Sequence, residues 1–410
     1  MPPEILSLIF SNTFFRHPNG LDRVSAPWIA SEVCARWRDV AVNSPALWTT
    51  INNQDPHLNI NRLKAQLDRS RDLPLRVEFF CKTMNHATIS ELNMVGVLAQ
   101  HSPRWETMFF GGQEVLYAHL EDFAPQFPLL RTLWLEMNLE TSLSHSISVL
   151  FSAAPRLEVA TVQLEQWRSP IALILPWHQL LQYRAAIEWT RLSVLASAVN
   201  LIECTLHLGD EPEPDLLKFG VVLLPRLLRL SFTDRDVLKH LETPALTELY
   251  DHDNEPVMEP TVFHCVSRTL QKLVLRSNMS SLSSVWAQIV GGLPQLKCFG
   301  HMEVLPMRPV LTFLASIFAH MSALEQLWLG FYNDVDVDEG GGTADELIDA
   351  MEGVDWKNCR LRTFRFCQFN RPLSQENLTR LRLLCEQGLD IQFAGFPHFH
   401  DELVPEALQI

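Results

Sequence analysis

No apolar run in this 410-residue chain is long enough to cross a bilayer. The longest, Ile171–Trp177 and Phe219–Pro225, fall far short of about 18 residues and carry proline. Positive charge is scarce: 33 Lys and Arg stand against 48 Asp and Glu, a net charge of −15. That balance argues against nucleic acid as a general partner, because phosphate neutralisation needs a broad basic face. No C-x-x-C pair occurs among the eight cysteines, which read as reduced, mostly buried thiols of an intracellular protein rather than a disulfide framework. Met1-Pro2-Pro3-Glu4 opens no basic and apolar secretory signal, so the two glycosylation-like triplets, at Asn278 and Asn377, read as chance. Gly-x-Ser-x-Gly and His-Glu-x-x-His are missing as well.

What is present is the composition of a folded chain, 47% hydrophobic and 20% charged, with enough length for two to four domains or one long array. An internal repeat favours the array. Leu-x-x-Leu-x-Leu or an apolar equivalent starts at Trp105, Leu130, Leu157, Leu180, Leu201, Leu227, Leu270, Leu324 and Leu361, with weaker units at Leu246 and Leu296. Eleven anchors from Trp105 to Leu361 span 256 residues in ten steps, a mean of 25.6, within the leucine-rich-repeat period. Alternation makes each unit one short strand with its apolar side inward, and stacking closes a core no unit can close alone. The expected fold is α/β: a helical head, then a solenoid with a curved parallel sheet and with helices or loops on its convex side. Ser144–Ala154 and Leu311–His320 have helical spacing. Pro128, Pro155, Pro225, Pro244 and Pro294 sit just before anchors, where a helix must stop and the chain extend. The asparagine expected after a repeat strand occurs only as Asn138, Asn254 and Asn278.

The first 55 residues lack this period. Pro3–Phe10 reads as a short helix, and Ile29, Val33, Trp37, Val40 and Ala41 form the stripe of a second. Ser44-Pro45 breaks it before Leu47-Trp48. The expected domains are a helical head over 1–55, a connecting helix over 56–72 and the array over 73–410. The head holds more large apolar residues than so small a unit can bury, so it rests on the array, on a partner, or on both.

Pro3-Glu4-Ile5-Leu6, Val33-Cys34-Ala35-Arg36-Trp37-Arg38-Asp39-Val40-Ala41 and Ser44-Pro45-Ala46-Leu47-Trp48 together resemble an F-box. Leu67–Leu75 and Pro176–Leu180 are similar to spacer and repeat motifs of the F-box and leucine-rich-repeat families expanded in mushroom-forming fungi. The resemblance implies the substrate-recognition subunit of an SCF-type cullin–RING ubiquitin ligase, cytoplasmic or nuclear, non-enzymatic and without cofactor or metal. Its head would bind the Skp-type adaptor through Pro3, Ile5, Leu6, Val33, Trp37 and Trp48, and its repeats would hold an unknown protein substrate. The alternative is a repeat scaffold outside any ligase, with Trp37 and Trp48 serving as plain core.

Residues between the inward leucines point outward and line up from repeat to repeat. Trp134, Arg184, Tyr250, Arg276, Trp328 and Arg365 on that face have the composition of interface anchors; packing against loops is the other reading. Asp334-x-Asp336-x-Asp338 with Asp345 resembles a calcium loop but has Glu339 where a sharp turn needs glycine, so a solvated acidic loop is expected. Gly340–Thr343 reads as a flexible loop, and His398-x-His400-Asp401-Glu402 as a terminal turn. Asp251-His252-Asp253 has the composition of an acid–base pair without a nucleophile.

Overall fold

The computed structural model describes residues 1–14, 26–53, 58–81, 87–138, 149–164, 173–187, 189–208, 220–253, 263, 266, 268–276, 289, 292–305, 323–331, 348–349, 351–354, 356, 360–367 and 375–394. The chain forms two compact units, Met1–Leu201 and Ile202–Ile410.

The first unit opens with α1 (Pro3–Phe14), α2 (Ala26–Val33), α3 (Ala35–Val42) and a 3-10 turn at Pro45–Trp48. The second head helix expected from the sequence is therefore two helices. The break falls at Cys34, whose extended backbone starts α3 and whose sulfur accepts from the Trp37 amide. Parallel strands follow: β1 (Thr50–Asn52), β2 (Leu75–Phe80), β3 (Trp105–Gln113), β4 (Thr132–Asn138), β5 (Val159–Leu164) and β6 (Gln182–Ile187). β1 lies inside the stretch expected to be helical, so the sheet starts earlier than its leucine pattern. Between strands run α4 (Ile60–Ser70), capped by Asn59, α5 (Ile89–Ala99), closed by a Thr88–Glu91 capping box, and α6 (Glu114–Glu121).

The second unit carries β7 (Glu203–Leu208), β9 (Arg229–Phe232), β11 (Glu248–Asp251), β12 (Lys272–Leu275), β13 (Cys298–Leu305), β14 (Gln326–Phe331), β15 (Thr363–Cys367) and β16 (Asp390–Ala394), paired in parallel in that order. Two short strands, β8 (Val222–Leu223) and β10 (Leu241–Glu242), form a small separate parallel pair. A helix at Gln375–Glu386 precedes β16.

All eleven anchors are buried, from Trp105 through Leu361, and Leu389 adds one before β16 that the pattern missed. One strand per repeat, all parallel, with the anchor at its start, is a leucine-rich-repeat architecture. The prolines act differently from the sequence expectation. The amides of Leu130, Leu157, Leu227, Leu246 and Leu296 each bond to the carbonyl three residues back, closing a turn. Pro128, Pro155, Pro225, Pro244 and Pro294 occupy the second position of those turns, where the fixed φ of proline is already correct. Leu180 and Leu201 close the same turn without proline.

Directly after the anchor comes a second backbone device. The Thr247 and Glu248 amides both bond to the Leu228 carbonyl, the Gln271 and Lys272 amides to Thr247, and the Lys297 and Cys298 amides to Gln271. The pattern continues with Glu325 and Gln326 on Lys297, then Arg362 and Thr363 on Glu325. In the first unit it joins Glu158 and Val159 to Arg131, and Leu181 and Gln182 to Glu158. These strands are thus registered on their predecessors at their first residues by main-chain bonds.

Asn53 fills the role expected of the repeat asparagine. It is buried, donates to the Phe80 carbonyl at 2.6 Å and accepts from the Phe80 amide at 2.8 Å. Asn254 and Asn278, like Leu311–His320, lie outside the described residues.

Candidate functional site

In the head, Leu6, Phe10, Ala30, Val40, Ala41, Leu47 and Trp48 form a closed core with Trp28 and Trp37 packed against it. The Trp48 indole N–H donates to the Ala41 carbonyl at 2.8 Å, and Trp28 meets the Trp48 ring edge-on at 4.9 Å. Helix α4 seals this core. The Arg69 guanidinium lies 4.5 Å from the Trp28 ring and 4.4 Å from Trp48, Arg62 lies 4.7 Å from Trp28, and Gln66 donates to the Thr50 carbonyl at 2.6 Å. The head thus rests on the connecting helix of its own unit.

That packing divides the six head residues singled out from the sequence. Leu6 and Trp48 are interior and present no surface to a partner; their apolar bulk closes the head itself. Trp37 is half-buried against Phe10, ring centres 5.0 Å apart. Pro3, Ile5 and Val33 are exposed, and exposed Leu8, Ile9 and Ile29 join them. Ile5 is 45% exposed, Leu8 59%, Ile29 57% and Val33 57%, on a unit whose own core is complete. The spacing Ile5–Leu8–Ile9 and Ile29–Val33, three and four residues apart, carried this signal in the sequence: each set shares one helix face.

The outward sheet face differs between units. In the first unit Thr132, Trp134 and Glu136 are half-buried while Leu133, Leu135 and Met137 are buried, and β5 and β6 alternate likewise, with Thr161 and Arg184 on the outward side. Burial lowers the pKa of the Arg184 guanidinium from its ordinary value. Trp134 belongs to an aromatic group: the Phe80 ring meets it at 5.4 Å and Phe109 at 6.1 Å, with Arg76 stacked 4.7 Å from Phe109. Gly111 makes this possible, because a Cβ there would collide with the Phe80 ring.

In the second unit the same row reads Thr205, Ser231, Tyr250, Val274, Gly300, Trp328, Arg365 and Gln392 across consecutive strands. Tyr250 is only 5% exposed and Trp328 8%. They are therefore not the exposed aromatics expected from alternation; with Val274 and Cys298 they form a small core of their own. Long cationic side chains lap over it: Lys272 Nζ lies 5.0 Å from the Tyr250 ring and 4.3 Å from Trp328, and the Arg365 guanidinium 4.6 Å from Trp328. Arg365 also donates to Gln392 Oε1 at 3.0 and 3.2 Å. Beside them runs a charged row, Glu203–Arg229–Glu248–Lys272, in which Arg229 reaches Glu203 at 2.6 Å and Glu248 at 3.4 Å. Burial, more than the nearby Glu248, raises the Glu203 pKa, against the opposing pull of Arg229. Arg276 is exposed.

Asp251-His252-Asp253 is structural. Asp251 is buried at the end of β11, and Arg235, from the 3-10 segment Arg235–His240, bonds to its Oδ2 at 2.6 Å and lies 3.5 Å from Asp253. Burial pushes the Asp251 carboxyl up to about 6, the Arg235 ion pair opposing that shift without cancelling it. The calcium-like segment, Gly340–Thr343 and the His398–Glu402 cluster lie outside the described residues. No group of three or more metal-ligating side chains occurs among the described residues, and no described helix is long and apolar enough to cross a membrane.

No family model matches this sequence, and no curated protein does. Among solved structures the chain is similar to an internalin from Listeria monocytogenes str. 4b F2365, at 16% identity and a TM-score of 0.30, over 79% of this chain and 80% of that one. The fold assignment rests on the parallel ladder and its buried anchors.

Proposed function

We propose that this chain is a protein-recognition subunit that docks through its head onto the Skp-type adaptor of an SCF-type cullin–RING ubiquitin ligase and holds a target protein on its repeats. The observation that carries the reading is the apolar surface of α1 and α2. Ile5, Leu8, Ile9, Ile29 and Val33 stay exposed although the head already buries Phe10 and Trp48, and an apolar patch left over from a complete core marks an interface. The F-box-like sequence over 2–51 names the partner, and Pro3, Ile5, Val33 and Trp37 are its contact residues. Leu6 and Trp48 act indirectly, by shaping the surface. Ubiquitin transfer belongs to other subunits, since the chain's motifs supply no nucleophile with a base.

Capture of purified adaptor by the full chain tests this. Ile5→Asp with Val33→Asp, both on the surface, should abolish capture while leaving thermal unfolding unchanged; central anchors at such interfaces are worth about 2 kcal/mol or more each. Full capture by the folded double variant overturns the adaptor assignment. Absence of capture by the unaltered chain favours a repeat scaffold outside any ligase.

A further inference from the structure

A buried donor without an acceptor is uncommon, because its lost hydration is not replaced. Three such donors meet where α4 closes the head. The Trp48 indole N–H has the Ala41 carbonyl, but Trp28 Nε1, Arg62 Nη1 and Arg69 Nη1 are buried with no hydrogen-bond partner. Arg62 and Arg69 stand two turns apart on one face of α4. Their guanidinium groups lie 4.7 and 4.5 Å from the Trp28 ring, so no more than about 9 Å separates the two charges. Carboxylates are scarce around them. Arg62 Nη2 has only the exposed Glu32, at 3.9 Å. Arg69 makes no hydrogen bond and no ion pair among the described residues; it lies between the indoles of Trp28 and Trp48, 4.5 and 4.4 Å away. Burial lowers the Arg69 pKa, and no carboxylate counters it. Indole faces steady a guanidinium but accept hydrogen bonds weakly, so its donors are oriented and left over. Trp28, Arg62 and Arg69 are each half-buried, which opens the seam to solvent.

We propose that this seam between α2 and α4 is an oxyanion site, in which the Arg62 and Arg69 guanidinium groups and the Trp28 indole N–H donate to the oxygens of a phosphate or carboxylate group. Guanidinium forks match such oxygens in pairs, and charge-assisted bonds of this kind are the strong ones. On a chain of net charge −15, two fixed cations favour a small or locally anionic ligand over an extended polyanion, which the rest of the surface repels. Two sources carry this chemistry. One is free phosphate; the other is a carboxylate of the protein docked on α1 and α2, because Trp28 adjoins exposed Ile29 and Glu32 adjoins exposed Val33. Either ligand ties α2 to α4 and stiffens the head beneath its exposed apolar patch. The site stands without the ligase reading, and only its second source rests on that reading.

Isothermal titration of the full chain with inorganic phosphate at fixed ionic strength tests the site. Saturable binding is expected, weakened about tenfold or more by Arg62→Gln with Arg69→Gln. Trp28→Phe, which keeps a ring and removes the N–H, should weaken it a few-fold. Arg69→Lys keeps a cation between the indoles without the fork, so it should lose affinity while unfolding in the absence of phosphate is little changed. Phosphate should raise the unfolding temperature of the unaltered chain and leave that of the double variant where it was. No saturable binding, or equal affinity in the folded double variant, overturns the proposal. Adaptor capture repeated in phosphate tells the sources apart: competition assigns the site to the partner's carboxylate, and capture that phosphate does not affect assigns it to the free anion. Absence of capture by the unaltered chain removes the ligase reading alone, and the phosphate titration still decides the site.

Discussion

In the first unit Trp134, between inward Leu133 and Leu135, stays half-exposed although Phe109 beside it is buried; in the second the equivalent Tyr250 and Trp328 are both buried. The backbone geometry is the same in both, one parallel strand per repeat. The difference lies in what the neighbours carry. Trp134 has Thr161 on one side and leans on Phe80 and Phe109, which leaves part of its ring in solvent. Trp328 has Gly300 on one side and Arg365 on the other, so it sinks against Val274 and is roofed by two cationic side chains. Pointing away from the anchors is a property of register; being exposed is a property of the side chains beside it.

The sharpest way to break the second unit alone is Arg235→Leu. It leaves Asp251 as a buried carboxylate without its cation, and losses of about 3–5 kcal/mol accompany such changes; urea unfolding should show it, with β11 amides losing hydrogen-exchange protection before those of β4. The pH dependence has a definite sign. The folded Asp251 value of about 6 lies above its ordinary 3.8, so its contribution to stability is complete at low pH and falls away as pH rises through about 6. The variant's deficit should therefore be larger at pH 8 than at pH 5, and a deficit independent of pH would show that Asp251 is not the group involved.

Truncating one indole in each unit compares the two faces directly. Trp328→Ala should cost about 3 kcal/mol, as for a core aromatic, and Trp134→Ala about 1 kcal/mol. Equal losses by thermal or denaturant unfolding would erase the distinction drawn above. The two glycines come next. Gly111→Ala drives a Cβ into the Phe80 ring and should cost about 1–3 kcal/mol, whereas Gly300→Ala meets Val274 at 3.2 Å and should cost less than about 1 kcal/mol. The smallest effect belongs to Arg229→Gln. Its side chain is 40% exposed, so its pairs with Glu203 and Glu248 are screened and the change should stay at about 0.5 kcal/mol.

The ladder was legible because its anchors recur in a fixed chemical form: every leucine named from the sequence as an anchor is buried at the start of a strand. β1 and β16 were not legible as repeats. β1 has one inward residue, Ile51, and β16 follows Leu389 without a second leucine, so neither spells the pattern. In the head, the helical stripe was visible but its interruption was not, since nothing in periodicity marks Cys34 as a cap. Which head residues were surface and which were core could be read only from three-dimensional packing: Leu6 and Ile5 are neighbours in sequence, and one turns inward while the other turns out. The Asp251–Arg235 pair escaped because its partners sit sixteen residues apart on different elements, a separation no local motif encodes.

The paired amides that tie β5, β6, β9 and β11 to β15 each to one carbonyl at the preceding strand have an evolutionary consequence. Register is decided by main chain within two residues of the anchor, so the segment that returns from one strand to the next does not set it. Glu248 comes nineteen positions after its ladder neighbour Arg229, and Thr363 thirty-seven after Gln326, yet both pairs meet in the same alignment. Insertions and deletions on the return side can therefore accumulate without shifting a single outward position, and a duplicated or lost repeat moves whole rows by one place rather than scrambling them. A lineage carrying this design can vary its recognition face one side chain at a time while its loops drift freely in length.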